Sequence, residues 1–530
     1  MSAGADGGPG AGPERGPDRH LARHPALHPA RDPGAAPWED SVNPPEEPAD
    51  GRRDAVLREL RARLPEILHP PGSPGYDGGR RVYFTGVDRR PSVVLRPRSA
   101  HEVAEAVRIV AGEGGRLTVK GGGHGFTSRG VADGLPALDL SALDAISVDG
   151  KARLARAGGG ITTGTFTREA GRQGLATGFG DSPKVGVGGI TQAGGIGFLH
   201  RRLGLTADAL VSAQVVTADG EIREVDGESE PDLFWALRGG GGGFGVVTRL
   251  DFRLAPVGRV VGGMLMDGTD PEAFHRALDY LTEAPEEVSG ILQVMRAPSI
   301  PLVPAELHGS MMLAAFLVHA GDPAEGERWM AGFRKAAAPV RRRSAPAGEA
   351  AGRAGEAKGP VMDTLGPMPY SGLFDEHDGP PDPPWIRWRS AFRDSLALEE
   401  VRALFELVAA PHDGVMRTLQ LRPLGGAVST ISPDATAFAH REAPLLASAG
   451  AVFSTEEEAG AHDAWVCEVH RTLTGGRPRG GYAGFLGVED PEGSDAAWPG
   501  RHRERLVAIK ERVDPHRVFH APADLPSRRR

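Results

Sequence analysis

The chain has 530 residues, enough for two large cores, and its 61 basic and 70 acidic residues give a formal net charge of −9. This mildly acidic balance argues against nucleic acid or an anionic membrane as the main partner, and no apolar run reaches the roughly 18 residues of a membrane span. A single cysteine excludes an internal disulfide and a CxxC zinc pair. Because the chain has no such cysteine pair, we expect no metal site. The amino terminus lacks the pattern of a secretory signal, so we expect a cytoplasmic protein.

The first part of the chain changes from a polar tail to regular structure. Residues 1–50 are rich in Pro, Gly, Ala, Arg and His and cannot bury enough apolar surface to offset ordering entropy, which predicts a disordered tail. Apolar residues recur at helical spacing over 53–68 and predict an amphipathic helix. A strand at 92–95, a helix capped by Ser99 and a strand at 117–120 follow as one strand–helix–strand unit.

The length and arrangement of the predicted elements change near residue 258. Before it, short strands in two predicted hairpins alternate with glycine-rich loops. After it, longer strands alternate with helices, which predicts an antiparallel sheet with helices on one face and an α+β fold overall. The predicted strands of this second part are 260–266, 291–295, 311–318, 416–421 and 482–486, and the predicted helices lie near 270–283, 323–337, 399–409, 456–473 and 500–513.

Four glycine-rich loops fall within about 125 residues of the first part. Glycine lets backbone approach a ligand without an intervening Cβ, and successive backbone N–H groups can form a nest for an anion. The loops therefore indicate a large phosphate-bearing cofactor, with plain turn chemistry as the alternative. The G-x-G-x-x-G match at 240–245 is not a dinucleotide fingerprint, because a helix-like segment precedes it and a strand follows it.

Several motifs in this order resemble those of one known family. They are the segment 120–124 (KGGGH), the stretch 185–197 with its two glycine groups, the segments 232–238 (DLFWALR) and 244–248 (FGVVT), and the segment 514–519 (DPHRVF). The chain is similar in these places to the berberine bridge enzyme-like oxidases of the vanillyl-alcohol oxidase/PCMH superfamily of FAD proteins. The likeness covers roughly 80–522.

The resemblance implies a two-domain PCMH-type FAD-binding fold. We expect an FAD domain at 80–257, an inserted antiparallel-sheet substrate domain at 258–475, and a carboxy-terminal segment at 476–522 that returns to the FAD domain. The implied cofactor-binding residues are Lys120, Gly121, Gly122, Gly123, His124, Gly125, Asp181, Ser182, Val187, Gly188, Gly189, Gly194, Gly195, Gly197, Asp208, Gly245 and Val246.

The resemblance also implies that the flavin is attached covalently. The imidazole of His124 would attack the 8α carbon of the isoalloxazine ring, which requires a neutral ring held by an unobstructing loop. Some relatives add a second bond from a cysteine, but Ser182 stands at that position and Cys467, the one thiol, lies on a predicted helix of the other domain. We therefore expect a single covalent bond.

The same resemblance implies that a tyrosine near the flavin removes the substrate proton, and that neighbouring groups lower the pKa of this tyrosine. Tyr482 is the first candidate and Tyr370 the second. Thr418, Gln420 and Arg422 share one face of a predicted strand, which either contacts substrate or is solvated. Because only 6% of residues are aromatic, we do not expect a stacking cage around the substrate.

The predicted function is an oxidase that uses FAD to take hydride from a CH–OH or CH–NH group of a small organic substrate, with molecular oxygen as acceptor. Three alternatives stay open: a flavin dehydrogenase with another acceptor, an FAD-binding protein with a degenerate site, and a nicotinamide-dependent Rossmann enzyme. The degenerate-site alternative is considered because the sequence differs from the family at Ala209, Gly243, Gly484 and 520–522, where the family usually has Asn. The composition indicates a high-GC bacterial source, where relatives often serve secondary metabolism or oxidise sugars.

Overall fold

A computed structural model describes residues 50–84, 88–299, 303–339, 360–375, 385–412, 414–475, 480–487 and 491–520. These residues belong to one compact unit and contain both helices and sheets, so the predicted α+β class is confirmed. The predicted disordered tail lies outside the described residues except for Asp50, which opens the first helix.

The regular elements are numbered here in chain order. The helices are α1 (Asp50–Arg63), α2 (Pro74–Arg80), α3 (Ala100–Gly112), α4 (Thr163–Gly171), α5 (Val187–Gln192), α6 (His200–Leu203), α7 (Pro231–Leu237), α8 (Pro271–Thr282), α9 (Pro323–Ala337), α10 (Leu398–Ala409), α11 (Ala427–Thr430), α12 (Ala459–Thr474), α13 (Pro491–Ala497) and α14 (Arg501–Val513). The strands up to residue 256 are β1 (Leu68–His69), β2 (Val93–Leu95), β3 (Thr118–Lys120), β4 (Pro136–Asp139), β5 (Ile146–Asp149), β6 (Leu154–Gly158), β7 (Leu175–Ala176), β8 (Leu210–Val216), β9 (Ile222–Val225), β10 (Val246–Arg253) and β11 (Ala255–Pro256). The later strands are β12 (Arg259–Gly268), β13 (Val288–Arg296), β14 (Met311–His319), β15 (Met362–Asp363), β16 (Gly366–Pro369), β17 (Trp385–Arg393), β18 (Met416–Pro423) and β19 (Leu445–Phe453).

Two sheets carry the glycine-rich part of the chain. The first has the order β1-β2-β4-β3, with β2, β3 and β4 parallel. The second is antiparallel, in the order β5-β6-β10-β8-β9, and contains both predicted hairpins. The segment after α14 extends the first sheet, because Leu117 donates its N–H to the Val518 carbonyl at 2.9 Å and accepts from His520 N–H at 3.0 Å.

A third, antiparallel sheet has the order β15-β12-β14-β13-β18-β19-β17, with β16 beside β12. Its apolar face packs against α8, α9, α10 and α12, where side chains such as Phe274 and Phe333 are fully buried. Each such burial stabilises the fold by about 1.5–3 kcal/mol. Since side chains alternate along a strand, Leu419 and Leu421 of β18 face these helices and Arg422 faces the opposite side.

Two predicted elements differ from the structure. The helix expected over 53–68 ends at Arg63, because Pro65 disfavours the helical conformation of the residue before it. The strand expected at 482–486 is a single 3-10 turn, Ala483–Phe485. The chain reverses there because Gly480 adopts a positive φ of 76° and Phe485 N–H donates to the Tyr482 carbonyl at 2.8 Å.

Candidate active site

A cavity of about 420 Å³ lies where the glycine-rich loops meet β18 and the closing segment of the chain. Many of its lining residues are glycines from loops that are far apart in sequence. The lining glycines include Gly121, Gly122, Gly123, Gly125, Gly159, Gly180, Gly186, Gly188, Gly189, Gly241, Gly242, Gly243 and Gly245. The predicted residues Lys120, His124, Asp181 and Ser182 line the same space. The loops predicted to hold one large cofactor therefore converge on one cavity.

Two of these loops touch through their backbones. A Cβ on Gly122 would lie 2.3 Å from the Gly186 nitrogen and 2.8 Å from the Lys184 carbonyl oxygen. Both obstacles are backbone atoms, so no side-chain rotation would relieve the overlap. The next residue, Gly123, has a φ of 72°, which favours glycine. Glycine is thus required here for the loop to pass over the cavity.

His124 follows this loop and lies against an aromatic ring. Its imidazole stacks on Tyr83, with ring centroids 4.2 Å apart and planes 20° from parallel. Tyr83 is itself held by the loop, because its N–H donates to the Gly123 carbonyl at 2.9 Å. Burial, reinforced by the positive charge of Lys184, lowers the pKa of His124 to about 4. The ring is therefore neutral near pH 7, the form that a nucleophile needs.

An ion pair closes the cavity on the side of β18. Arg422 is 4% exposed and lines the cavity. Its Nη2 donates to Asp181 at 2.5 Å, while Nε and Nη2 both donate to the Gln420 amide oxygen at 3.0 and 2.9 Å. On the expected strand face, Arg422 thus lines the cavity, and Gln420 holds its guanidinium without lining the cavity.

Tyr482 lines the cavity from the 3-10 turn. Its hydroxyl accepts the Gly195 N–H at 3.2 Å, and its own N–H donates to Ser390 Oγ at 3.1 Å. Burial raises the pKa of Tyr482, although backbone N–H donors and Arg422 oppose the rise. The direction is opposite to the lowered pKa expected from the sequence, because a phenol that is 4% exposed loses most of its hydration.

Aromatic rings are concentrated beside this site despite the low overall aromatic content. Phe84, Phe126, Phe485 and Trp388 form an aromatic wall, with centroids of neighbouring rings 5.0–5.9 Å apart. The first three line the cavity, and Trp388 backs Phe126 and Phe485. The low aromatic content thus did not indicate this local surface, because a chain-wide average does not report where four distant segments converge. Tyr83, stacked on His124, was also missed, since no local pattern links positions 41 residues apart.

Several predicted site residues lie outside the cavity lining. They are Val187, Gly194, Gly195, Gly197, Asp208, Val246, Tyr370, Thr418 and Gln420. Tyr370 packs on Phe374 in the core, and its hydroxyl has no hydrogen-bond partner among the described residues. Thr418 is buried and donates its hydroxyl to the Val294 carbonyl at 3.1 Å. These positions support the loops and the sheet around the site.

Asp208 provides such support through a buried ion pair. Its two carboxylate oxygens accept from Arg441 at 2.5 and 3.0 Å, and Arg441 is fully buried. The carboxylate also accepts the Leu205 N–H at 2.8 Å. The pair ties the loop after α6 to the segment before β19, so we reassign Asp208 from cofactor binding to holding this loop.

A buried lysine connects the closing segment to a glycine loop. Lys510 Nζ donates to Asp514 at 2.6 Å and to the Gly243 carbonyl at 2.5 Å. Burial lowers its pKa, although the Asp514 carboxylate opposes the change. Phe519 and His520, just beyond this pair, line the cavity. The loop at Gly243 is thus fixed through its backbone carbonyl, without the side-chain amide that the family usually has there.

Comparison with known proteins agrees with this geometry. Residues 91–226 match the family of the FAD binding domain. The chain is 38% identical over 189 residues to (R)-6-hydroxynicotine oxidase of Paenarthrobacter nicotinovorans, which covers 36% of this chain and 41% of that protein. It is 40% identical over 188 residues to glucooligosaccharide oxidase of Sarocladium strictum, covering 35% and 38%. These alignments span about two fifths of the relatives' own lengths.

Solved structures extend the likeness in fold to nearly the whole chain. A glucooligosaccharide oxidase from Acremonium strictum, described with a 6-S-cysteinyl, 8α-N1-histidyl FAD, has a TM-score of 0.74 at 24% identity and covers 89% of this chain and 100% of its own. Berberine bridge enzyme from Eschscholzia californica has a TM-score of 0.73 at 18% identity, covering 89% and 99%. The chain therefore has the fold of berberine bridge enzyme-like proteins, and residues 91–226 match an FAD binding domain. In sequence, the chain is similar to proteins named as oxidases over part of its length.

The part of the chain that the structure describes lacks two other kinds of site. No helix there is both long and apolar enough to span a bilayer. No group of three or more His, Cys, Asp or Glu side chains there is arranged to hold a metal ion.

Proposed function

We propose that this chain is an FAD-dependent oxidase that removes a hydride from a carbon next to an OH or NH group of a small organic substrate. The observation that carries the proposal is His124, a neutral histidine at the end of the glycine loop in the matched FAD-binding region. When bound, FAD supplies the hydride acceptor and passes the electrons to oxygen, which yields hydrogen peroxide. The relatives named as oxidases support this reaction class.

The residues of the cavity suit a covalently held FAD. Backbone without Cβ atoms lines the space for a large ligand, as at Gly122 and Gly186. The neutral imidazole of His124, stacked on Tyr83, can supply the nucleophilic nitrogen. Ser182 lines the cavity where a second bond would need a thiol, and Cys467 lies on α12. We therefore propose one covalent bond, through His124.

Denaturing electrophoresis under ultraviolet light tests this attachment. We expect a fluorescent flavin band from the parent protein and a dark band from His124→Ala, because only covalently attached flavin stays with the polypeptide after denaturation. His101→Ala removes an exposed histidine of α3 and is the matched control, expected to stay fluorescent. A dark band from a yellow parent would show that the role proposed for His124 is wrong. A colourless parent that added FAD does not restore would contradict FAD binding itself.

We propose Tyr482 as the group that accepts the substrate proton, since it lines the cavity beside Arg422. Its raised pKa keeps it a neutral phenol at pH 7, so the reactive phenolate becomes more abundant as pH rises. Turnover by the parent should therefore increase with pH through the alkaline range. Tyr482→Phe should retain FAD, lose about 10²- to 10⁴-fold in kcat and lose the alkaline increase.

The same variant also tests a purely structural role for Tyr482. The substitution leaves the Gly195 N–H without its acceptor, which costs about 1–3 kcal/mol when the donor is buried. A lower melting temperature with an unchanged pH profile would mean that the hydroxyl only holds the Gly195 loop. Peroxide measured per turnover in the parent separates the oxidase from a dehydrogenase that uses another acceptor. We further propose the cytoplasm as its location, because one cysteine suits a reducing compartment.

A further inference from the structure

The aromatic wall offers a flat apolar surface to the cavity, beside Arg422. Phe126 and Phe485 are nearly parallel, at 23°, with centroids 5.4 Å apart. This spacing leaves no room for a ring between them, so they form one surface rather than a clamp. Aromatic rings attract other rings in offset or edge-on geometry beyond simple burial of apolar surface. The wall therefore favours a ligand with its own planar ring.

A buried cation borders this wall. The guanidinium carbon of Arg422 lies 5.0 Å from the centroid of the Phe485 ring. Asp181 and Gln420 engage Nε and Nη2, and Nη1 has no hydrogen-bond partner among the described residues. Because Arg422 lines the cavity and is 4% exposed, a donor on Nη1 is available in a partly desolvated site. Such donors bind carboxylates more strongly than neutral acceptors.

The charged groups around the cavity include one carboxylate, Asp181, which pairs with this cation at 2.5 Å. The charged side chains that line it are Lys120, Arg129, Asp181 and Arg422, three cations and one carboxylate among the described residues. Asp181 also faces the cavity, since its side chain is 36% exposed. Lys120 is paired with the buried Asp139 at 3.4 Å. Next to the aromatic wall, the Nη1 group of Arg422 is therefore the donor that remains for an anionic group, while Asp181 holds Nη2.

We infer that the substrate is an aromatic compound that carries an anionic group, with its ring on the aromatic wall and its anion on Arg422. This inference rests on the proposed oxidase function and narrows its substrate to aryl carboxylates or similarly charged aromatic compounds. The ring and the anion are recognised by different residues, so each part of the ligand has a separate test.

Calorimetric titration of the FAD-loaded protein with three small probes tests both parts. Benzoate has a ring and a charge, benzyl alcohol lacks the charge, and cyclohexanecarboxylate lacks the aromatic ring. We expect benzoate to bind at least about tenfold more tightly than benzyl alcohol. It should bind at least about threefold more tightly than cyclohexanecarboxylate. Equal affinity for benzoate and benzyl alcohol would overturn the anionic part, and equal affinity for the two carboxylates would overturn the aromatic part.

Variants assign the effect to named residues. Arg422→Gln should remove the preference for benzoate over benzyl alcohol, and Arg422→Lys, which keeps the charge, should retain part of it. Arg417→Gln is the matched control, because Arg417 is buried on the opposite face of β18 over Trp465 and should leave all three affinities unchanged. Phe126→Leu should weaken benzoate binding and spare cyclohexanecarboxylate. An unchanged benzoate preference in folded Arg422→Gln would overturn the assignment.

The outcome can be distinguished from failure of the proposed function. Binding heat is measured with oxygen excluded, so that no probe is turned over repeatedly, and flavin reduction is followed separately in the visible spectrum. Selective benzoate binding by a protein whose flavin no aromatic acid, alcohol or amine reduces would support the ligand class and overturn the oxidase. Flavin reduction by neutral sugars with no selective benzoate binding would support the oxidase and overturn the ligand class.

Discussion

Replacement of Arg441 by methionine is expected to destabilise the protein by about 3–5 kcal/mol, because it leaves the Asp208 carboxylate buried without its counter-charge. The two side chains are 0% and 6% exposed and share two hydrogen bonds, so water cannot replace the guanidinium. Methionine fills a similar volume, which separates loss of charge from creation of a cavity. Urea denaturation, followed by tryptophan fluorescence, measures the free energy of unfolding.

An exposed ion pair provides the comparison for this prediction. Arg402 on α10 contacts Glu272 on α8 at 2.8 Å, with side chains 48% and 42% exposed. Arg402→Met should change the free energy of unfolding by less than about 1 kcal/mol, since solvent screens such a pair. The double variant Asp208→Asn with Arg441→Met should recover part of the lost stability, because no isolated charge remains. An Arg441→Met variant as stable as Arg402→Met would contradict the buried-pair interpretation.

Gly122→Ala should greatly reduce FAD incorporation. The new Cβ would overlap the Gly186 nitrogen at 2.3 Å and the Lys184 carbonyl at 2.8 Å, so the two loops must separate. Overpacking of this kind costs about 1–3 kcal/mol. If the overlap destabilises the FAD-bound protein and not the free protein, FAD affinity falls roughly 5- to 150-fold. Visible flavin absorbance per polypeptide, with the gel assay for covalent attachment, measures the loss.

A second glycine separates this effect from a general intolerance of alanine. Gly227, in the loop between β9 and α7, would meet nothing within 4 Å on gaining a Cβ, and its φ is not positive. Gly227→Ala should therefore keep full flavin content and the parental melting temperature. Full flavin content in Gly122→Ala would show that the two loops do not need this close approach to bind FAD.

Two of the strands that were not predicted show why a local sequence pattern can fail to identify a strand. β17 and β19 pair with each other and lie at the side of the third sheet that continues beyond β18. β19 is Ala- and Gly-rich and is buried at almost every position, so it lacks the alternation that marks a half-exposed strand. By contrast, β18 and the helices α8, α9 and α10 were predicted within a few residues, because each has one apolar and one polar face.

The glycine loops, His124, the single thiol and the FAD-binding class could all be identified from sequence, because each depends on residues that are adjacent or on a simple count. The Asp181–Arg422 pair joins positions 241 residues apart, and the aromatic wall joins four distant segments, so only the folded chain brings these groups together. The pKa directions of His124 and Tyr482 likewise depend on burial. Burial and long-range electrostatics are properties of packing, and a local sequence pattern does not encode them.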